Sequence, residues 1–190
     1  ETENPMSFST KEMSEEEFQK RLKSHLTMAP TGWYMNHKLW QSCLMGDFKA
    51  AQSYFAGSEI FLLNTPFAHG VTMQAFCTAL ASAHLLTGAA DKDKKPLLKR
   101  LNKGLKQYRL WTKVNPASFS AQCFLLEAEW ARLHHKTDLA MQNYTQAVNA
   151  AKENGNLHLL GITSERAAEF FAEKDYERLS LPFLREALHA

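Results

Sequence analysis

The residues that could do chemistry are few, and their spacing does not bring them together. His134 and His135 precede Asp138 and are the first choice for a metal ion. Adjacent positions on a helix point about 100° apart, so the two imidazoles do not converge. The pair reads as an exposed turn between helices. Cys77 and His84 are seven apart and share a helical face, but two ligands do not make a zinc site, and they read as packing. Cys43, Cys77 and Cys123 are odd in number, far apart and without a Cys-x-x-Cys pair. Each lies in an apolar helical stretch and reads as a buried reduced thiol. Glu127, Glu129 and Arg132 share one segment, and the last two have the spacing of an ion pair along a helix. Acid–base catalysis needs a second carboxylate converging on the same pocket, and the sequence places none. No glycine-rich loop follows an apolar strand. No catalytic residue, metal or cofactor is expected.

Charge gives a stronger signal than reactivity. Residues 91–113 carry nine Lys/Arg against Asp91 and Asp93, a net +7 in a chain whose total is +2. The rest of the chain therefore carries −5. At 100° per residue, Leu97, Leu98, Leu101, Leu105, Tyr108 and Trp111 fall on one stripe, with the basic residues opposite. Two readings stay open. One is a solvated helix face. The other is a docking surface for a protein or neighbouring domain of acidic character, made by Lys95, Lys99, Arg100, Lys103, Lys106, Arg109 and Lys113. Nucleic acid is disfavoured, because it calls for aromatics interleaved with the basic residues, whereas Tyr108 and Trp111 fall on the apolar side. Trp33, Tyr34, Phe67, Phe76 and Phe119 could line a ligand groove, although aromatics at helical spacing are more often core.

The elements that would position these residues are all helices. The chain has 190 residues, 45% hydrophobic and 22% charged, an ordinary composition for a chain with a real core. No run approaches the ~20 apolar residues of a membrane-spanning helix, so no membrane association is expected. Residues 1–13 are expected to be a flexible segment, and residues 14–190 one helical domain. Ser14-Glu15-Glu16-Glu17 has the form of a capping box, with Phe18, Leu22 and His25/Leu26 on one face of the first helix. Pro30-Thr31-Gly32 is expected to break it. A second helix covers Trp33–Met45, and Gly46-Asp47 turns into a third over Phe48–Ala56. Asn64-Thr65-Pro66 opens a fourth that ends at Gly88, and Ala90–Pro96 reads as a polar loop. A fifth covers Leu97–Lys113. Asn115 as N-cap with Pro116 at the first helical position starts a sixth that ends near His135. A seventh runs from Thr137 or Asp138 to Asn154, an eighth over Asn156–Glu173, and a ninth begins at Asp175.

Short turns make consecutive helices antiparallel neighbours, so internal repetition is the next question. Ala51, Phe55 and Ser58 follow Gly46-Asp47-Phe48. Ala140, Tyr144 and Ala147 repeat that small–aromatic–small spacing, and Ser180, Leu184 and Ala187 echo it 40 residues later. Positions separated by four and then three residues share a helix face, where small residues admit a close neighbour and the larger one fills the groove. This resembles the second helix of a tetratricopeptide repeat, with a period of 40 in place of the regular 34. Phe124, Ala128 and Ala131 match the first helix of the pair. The expected fold is all-α: a tetratricopeptide-like α-solenoid of about four helical hairpins plus an N-terminal helix.

From Trp111 the text is more specific. Trp111-Thr-Lys-Val-Asn-Pro116-Ala-Ser-Phe119 leads into Leu125-Leu126-Glu127-Ala128-Glu129-Trp-Ala131-Arg132, then Ala140, Tyr144, Ala147 and, after Gly155, Glu165, Ala167-Ala168 and Phe170. Together with Phe76-Cys-Thr-Ala-Leu80, this resembles the helical segment of large multidomain signalling proteins. Those proteins combine a Ser/Thr-kinase-like domain, an AAA-type signal-transduction ATPase, a GAF sensor and often a histidine kinase. The resemblance covers about Trp33 to the C-terminus; Ser118 stands where Asn is expected and Ser180 where Ala is usual. It implies a cytoplasmic, non-catalytic segment for protein–protein or inter-domain recognition. Trp111, Pro116, Phe119, Glu129, Arg132, Ala140, Tyr144 and Ala147 carry over as scaffold residues, beside Ala51, Phe55 and Ala187 of the repeat spacing. The alternative is a small-molecule or peptide sensor that controls an attached output domain. The sequence leaves the oligomeric state open. The chain begins at Glu1 and ends within a stretch that reads as uninterrupted helix, so an excised piece of a longer protein is expected.

Overall fold

The computed structural model describes residue 4 and residues 6–25, 28–62 and 68–190. The expected helix start at Asn64-Thr65-Pro66, together with Leu26 and Phe67, lies outside them, as does the side chain of His25. Among the described residues the protein is all-α, with ten helices and no strand. The chain forms two compact units, Glu1–Ala81 and Ser82–Ala190.

The first unit holds α1 (Glu15–His25), α2 (Met28–Leu44), α3 (Phe48–Ser53), α4 (Phe55–Leu62) and most of α5 (Ala68–Leu86). The Ser14 Oγ accepts from the Glu17 N–H at 3.1 Å, which caps one of the first-turn donors that have no partner inside the helix. Pro30-Thr31-Gly32 does not interrupt the helix: α2 already runs from Met28. Pro30 is its third residue, where a missing N–H costs nothing because first-turn donors have no acceptor. The single third helix expected over Phe48–Ala56 is instead two, broken at Tyr54. Both pack on α2, and Ala51, Phe55 and Ser58 are buried there.

The second unit holds α6 (Asp91–Val114), α7 (Pro116–Leu133), α8 (Thr137–Glu153), α9 (Leu157–Glu173) and α10 (Glu177–His189). Ala90–Pro96 is not a loop. Asp91 and Asp93 occupy the first turn of α6, where carboxylates complement the helix dipole. Pro96 sits inside the helix, as Pro182 does in α10. Both prolines are sixth in their helices and exposed, so water can satisfy the carbonyl each leaves unpaired. Asn115 caps α7 through the Ser118 N–H at 3.2 Å, with Pro116 in the first turn. Asn156 caps α9 through the Leu159 N–H at 3.1 Å.

One turn geometry recurs four times. The N–H groups of Asp47, Lys136, Asn156 and Tyr176 donate to the carbonyls of Ser42, Ala131, Ala151 and Phe171, each five residues back. The residue before each donor has positive φ: Gly46, His135, Gly155 and Asp175. This is the bond pattern that ends a helix on a left-handed residue. It sends the chain straight into the next helix. α6 packs on α7, α7 on α8, α8 on α9 and α9 on α10, and α7 also touches α9. Fully buried alanines let these helices approach: Ala128, Ala131, Ala140, Ala147, Ala151 and Ala167. Tyr144 and Phe170 fill the grooves between them, their ring centroids 4.9 Å apart. Burying each such ring contributes roughly 2–3 kcal/mol.

Candidate functional site

The outer face of α6 is the most distinctive surface of the second unit. Leu97, Leu101, Leu105 and Tyr108 point inward and are buried. Leu98, expected among them, is exposed, because it lies about 70° off the centre of that stripe. On the opposite side Lys92, Lys95, Lys99, Lys103, Lys106 and Lys113 are all exposed. The line from Lys92 to Lys113 is about 32 Å long at the helical rise. None of these six lysines forms an ion pair with a described residue, whereas Lys94 pairs with Asp91 and Arg109 with Glu127. Like charges three and four apart destabilise a helix by a few tenths of a kcal/mol per pair, so the stripe costs stability while it faces water alone. Leu110 and Val114 stand on the same face, 54% and 86% exposed.

Two residues expected on this face are placed elsewhere. Arg100 is half-buried. Arg109 lies to one side and makes a two-pronged pair with Glu127 of α7, Nε to Oε1 at 2.6 Å and Nη2 to Oε2 at 2.9 Å. This leaves Lys95, Lys99, Lys103, Lys106 and Lys113 of the expected set on the open stripe.

The scaffold residues lie behind it. Trp111 is half-buried against Tyr108 and Phe119, with ring centroids 5.1 and 5.7 Å away, and the three rings clasp the α6–α7 corner. Pro116 is exposed at the start of α7, and Ala187 is half-buried in α10.

Glu129 is fully buried, and its partners define the interior of the unit. Its Oε1 accepts from Tyr144 Oη at 2.9 Å and from Arg166 Nε at 2.8 Å. Its Oε2 accepts from Arg132 Nε at 3.0 Å. Burial by itself would raise this carboxyl, but Arg166 and Arg132 overcome it and hold the group at about 2. The same burial and the carboxylate beside it push the Tyr144 phenol well up. α7, α8 and α9 are thus tied at one carboxylate whose charge is fully committed. Arg166 also reaches Glu169 and lies 3.3 Å from His84 Nδ1. Burial, with Arg166 next, lowers the His84 imidazole. Arg166 escaped the sequence reading. The signal was an arginine at i, i+4, i+8 with Ile162 and Phe170, a charge in the middle of an apolar face.

The remaining candidates are occupied by packing. His134 stacks on Trp130 with centroids 4.0 Å apart, its Nδ1 lying 2.7 Å from the Trp130 carbonyl, while His135 is the left-handed turn residue. The Cys43 Sγ lies 3.6 Å from the Cys77 carbonyl, and burial pushes the Cys77 and Cys123 thiols up. Among the described residues no group of three His, Cys, Asp or Glu side chains could hold a metal ion. Within the first unit Tyr34 and Phe76 are buried and Trp33 is half exposed. Among the described residues no helix is long and apolar enough to cross a membrane.

No family model matches this chain. No curated protein and no solved structure matches it either.

Proposed function

We propose that the chain is a tetratricopeptide-like recognition segment without chemistry of its own, docking a protein or neighbouring domain of acidic character through the outer face of α6. The observation that carries this reading is the line of unpaired lysines on α6 beside exposed Leu110 and Val114. A polyanion alone would need only the charges. A protein partner also needs apolar anchors that exclude water near the charged contacts, and these two residues supply them. The face offers no free arginine fork for base edges and no aromatic for stacking, which favours protein over nucleic acid. The repeated turn, the packing of each helix on its chain neighbours and the small–aromatic–small faces support the solenoid. The resemblance to signalling proteins supports a cytoplasmic, inter-domain regulatory setting.

The test is fluorescence-anisotropy titration with a labelled helical peptide carrying glutamates at i, i+4 spacing and one leucine, against a labelled DNA duplex of equal charge. Binding of the peptide should weaken as salt rises and fall at least tenfold in a K99E/K103E/K106E variant of unchanged helicity. Tighter binding to the duplex, or indifference to the charge reversals, would overturn the reading. A stabilising metabolite in a thermal-shift screen would instead support the sensor alternative.

A further inference from the structure

The lysines of α6 and the two apolar residues beyond them obey one spacing. Lys92, Lys95, Lys99, Lys103 and Lys106 are continued by Leu110 and Val114 in steps of 3, 4, 4, 3, 4 and 4 residues. All seven are exposed. Eleven residues at 100° each overrun three full turns by only about 20°. The seven positions therefore stay within a sector of about 100°, on the side of α6 away from Leu101 and Leu105. The line is graded: its first five members are basic and its last two apolar. Along the axis its members lie about 5.5 Å apart on average and span about 33 Å.

We propose that the occupant of this face is one straight α-helix of the partner, an inference that rests on the docking role proposed above. Its contact side repeats the same 3, 4, 4 spacing, with five carboxylates along Lys92–Lys106 and two apolar residues against Leu110 and Val114. A helix presents the residues of one side at the interval of this line. An extended strand presents them every ~6.6–6.8 Å, so it is about half an interval out of step by the third lysine. Lysine stems can bend toward a misplaced carboxylate, but Leu110 and Val114 are short. They stand four residues apart, the spacing of a ridge that seats a neighbouring helix's side chains beside it, and they set the register. An exposed charge pair contributes little by itself. Discrimination therefore depends on all five pairs aligning together, which a helix ordered before binding achieves at the smallest entropic cost.

Titration of the whole chain against three labelled peptides of equal length and charge, read by fluorescence anisotropy, tests this. The first is a stapled helix with its glutamates and two leucines on one side at the 3, 4, 4 spacing. The second is an equally helical peptide that spreads the same residues around its circumference. The third holds them at alternate positions of a chain kept extended by prolines. The first should bind at least tenfold more tightly than either of the others. L110E/V114E should remove most of its preference over the second, with the circular dichroism of the chain unchanged. Equal binding of the first and second peptides would overturn the inference, since net charge alone would then decide. Tightest binding of the third would overturn it in favour of an extended partner, and a preference that survives L110E/V114E would overturn the apolar register. These results leave the docking role standing, whereas binding of none of the three would remove that role and this inference with it.

Discussion

Each unit contains a carboxylate that accepts from a tyrosine hydroxyl and pairs with a cation, and the two sites differ in depth and in the cation chosen. In the first unit Glu15 accepts from Tyr34 Oη at 2.5 Å, from the Phe8 N–H at 3.0 Å and from Lys38 Nζ at 3.0 Å. The Glu15 and Lys38 side chains keep 15% and 7% exposure. In the second unit Glu129 has none, and it takes Arg166 and Arg132 in place of a lysine. Lysine is a point charge suited to a site that keeps some water. It is also close enough here for a cation–π contact with Phe8, 4.8 Å from Nζ to the ring centroid. A guanidinium offers several directed donors and is less strongly hydrated, so it suits the dry site. The Glu15 contacts fasten the non-helical segment around Phe8 onto two helices. The Glu129 contacts join three helices, and their loss leaves Arg166 and Arg132 to the more exposed carboxylates of Glu169 and Glu173.

Breaking the deeper site should therefore cost most. Glu129→Ala removes the one buried carboxylate shared by Arg166 and Arg132 and is expected to lower stability by about 3–5 kcal/mol, read as a shift in urea midpoint. A loss equal to or smaller than that of Glu15→Gln would mean that depth does not set the cost. Acid gives the next effect. The folded Glu129 carboxyl is held at about 2, below its ordinary value. Its stabilisation is complete above the ordinary carboxylate range and is lost as pH falls through that range toward 2. The linkage contributes about 3 kcal/mol, so urea midpoints measured from pH 6 downward should fall steeply. Glu15→Gln should cost about 1–2 kcal/mol, the value of a charged hydrogen bond that water can partly replace.

His84 sharpens the picture with a smaller effect in a separate pH window. Its imidazole is lowered in the fold, mainly by burial and then by Arg166, so the unfolded chain binds the proton more readily. Stability should fall as pH drops through the ordinary histidine range near 6.5. His84→Gln should remove that step and leave the acid step in place. The smallest effect concerns the turns. His135 holds φ 56° without being glycine, and His135→Gly is expected to raise stability by up to about 1 kcal/mol. Gly155→Ala, at φ 64°, should lower it by a similar amount.

Much of this fold was legible because its signals are local. Asn115-Pro116, Gly155-Asn156 and Gly46-Asp47 announce helix ends through side-chain caps and left-handed turns, and the helices begin where those residues place them. Pro30 and Pro96 misled because proline reports only a missing donor and a fixed φ; an early position in the helix or exposure to water makes both tolerable. The break at Tyr54 has no Gly or Pro to mark it. The charge stripe on α6 is readable from angles, and so is most of its membership: Arg100 and Arg109 lie about 90° from the centre of the buried stripe, on its flanks. Only the partner that Arg109 finds there, Glu127 of α7, depends on a neighbour that helical periodicity does not contain. The same holds for Glu129. Its pairing with Arg132 is visible at three residues' spacing, whereas its partner Arg166 is 37 residues away.

Buried charges hold the second unit together, and the proposed role leaves recognition of a partner to the exposed lysines of α6. Carbodiimide cross-linking of the acidic helical peptide to the chain, with the linked lysines identified by mass spectrometry, tests it most directly, because the reagent joins only a carboxylate and an amine already in contact. Links are expected to concentrate at Lys95, Lys99, Lys103, Lys106 and Lys113. Links spread in proportion to exposure over Lys11, Lys20, Lys152 and Lys174 as well would contradict it.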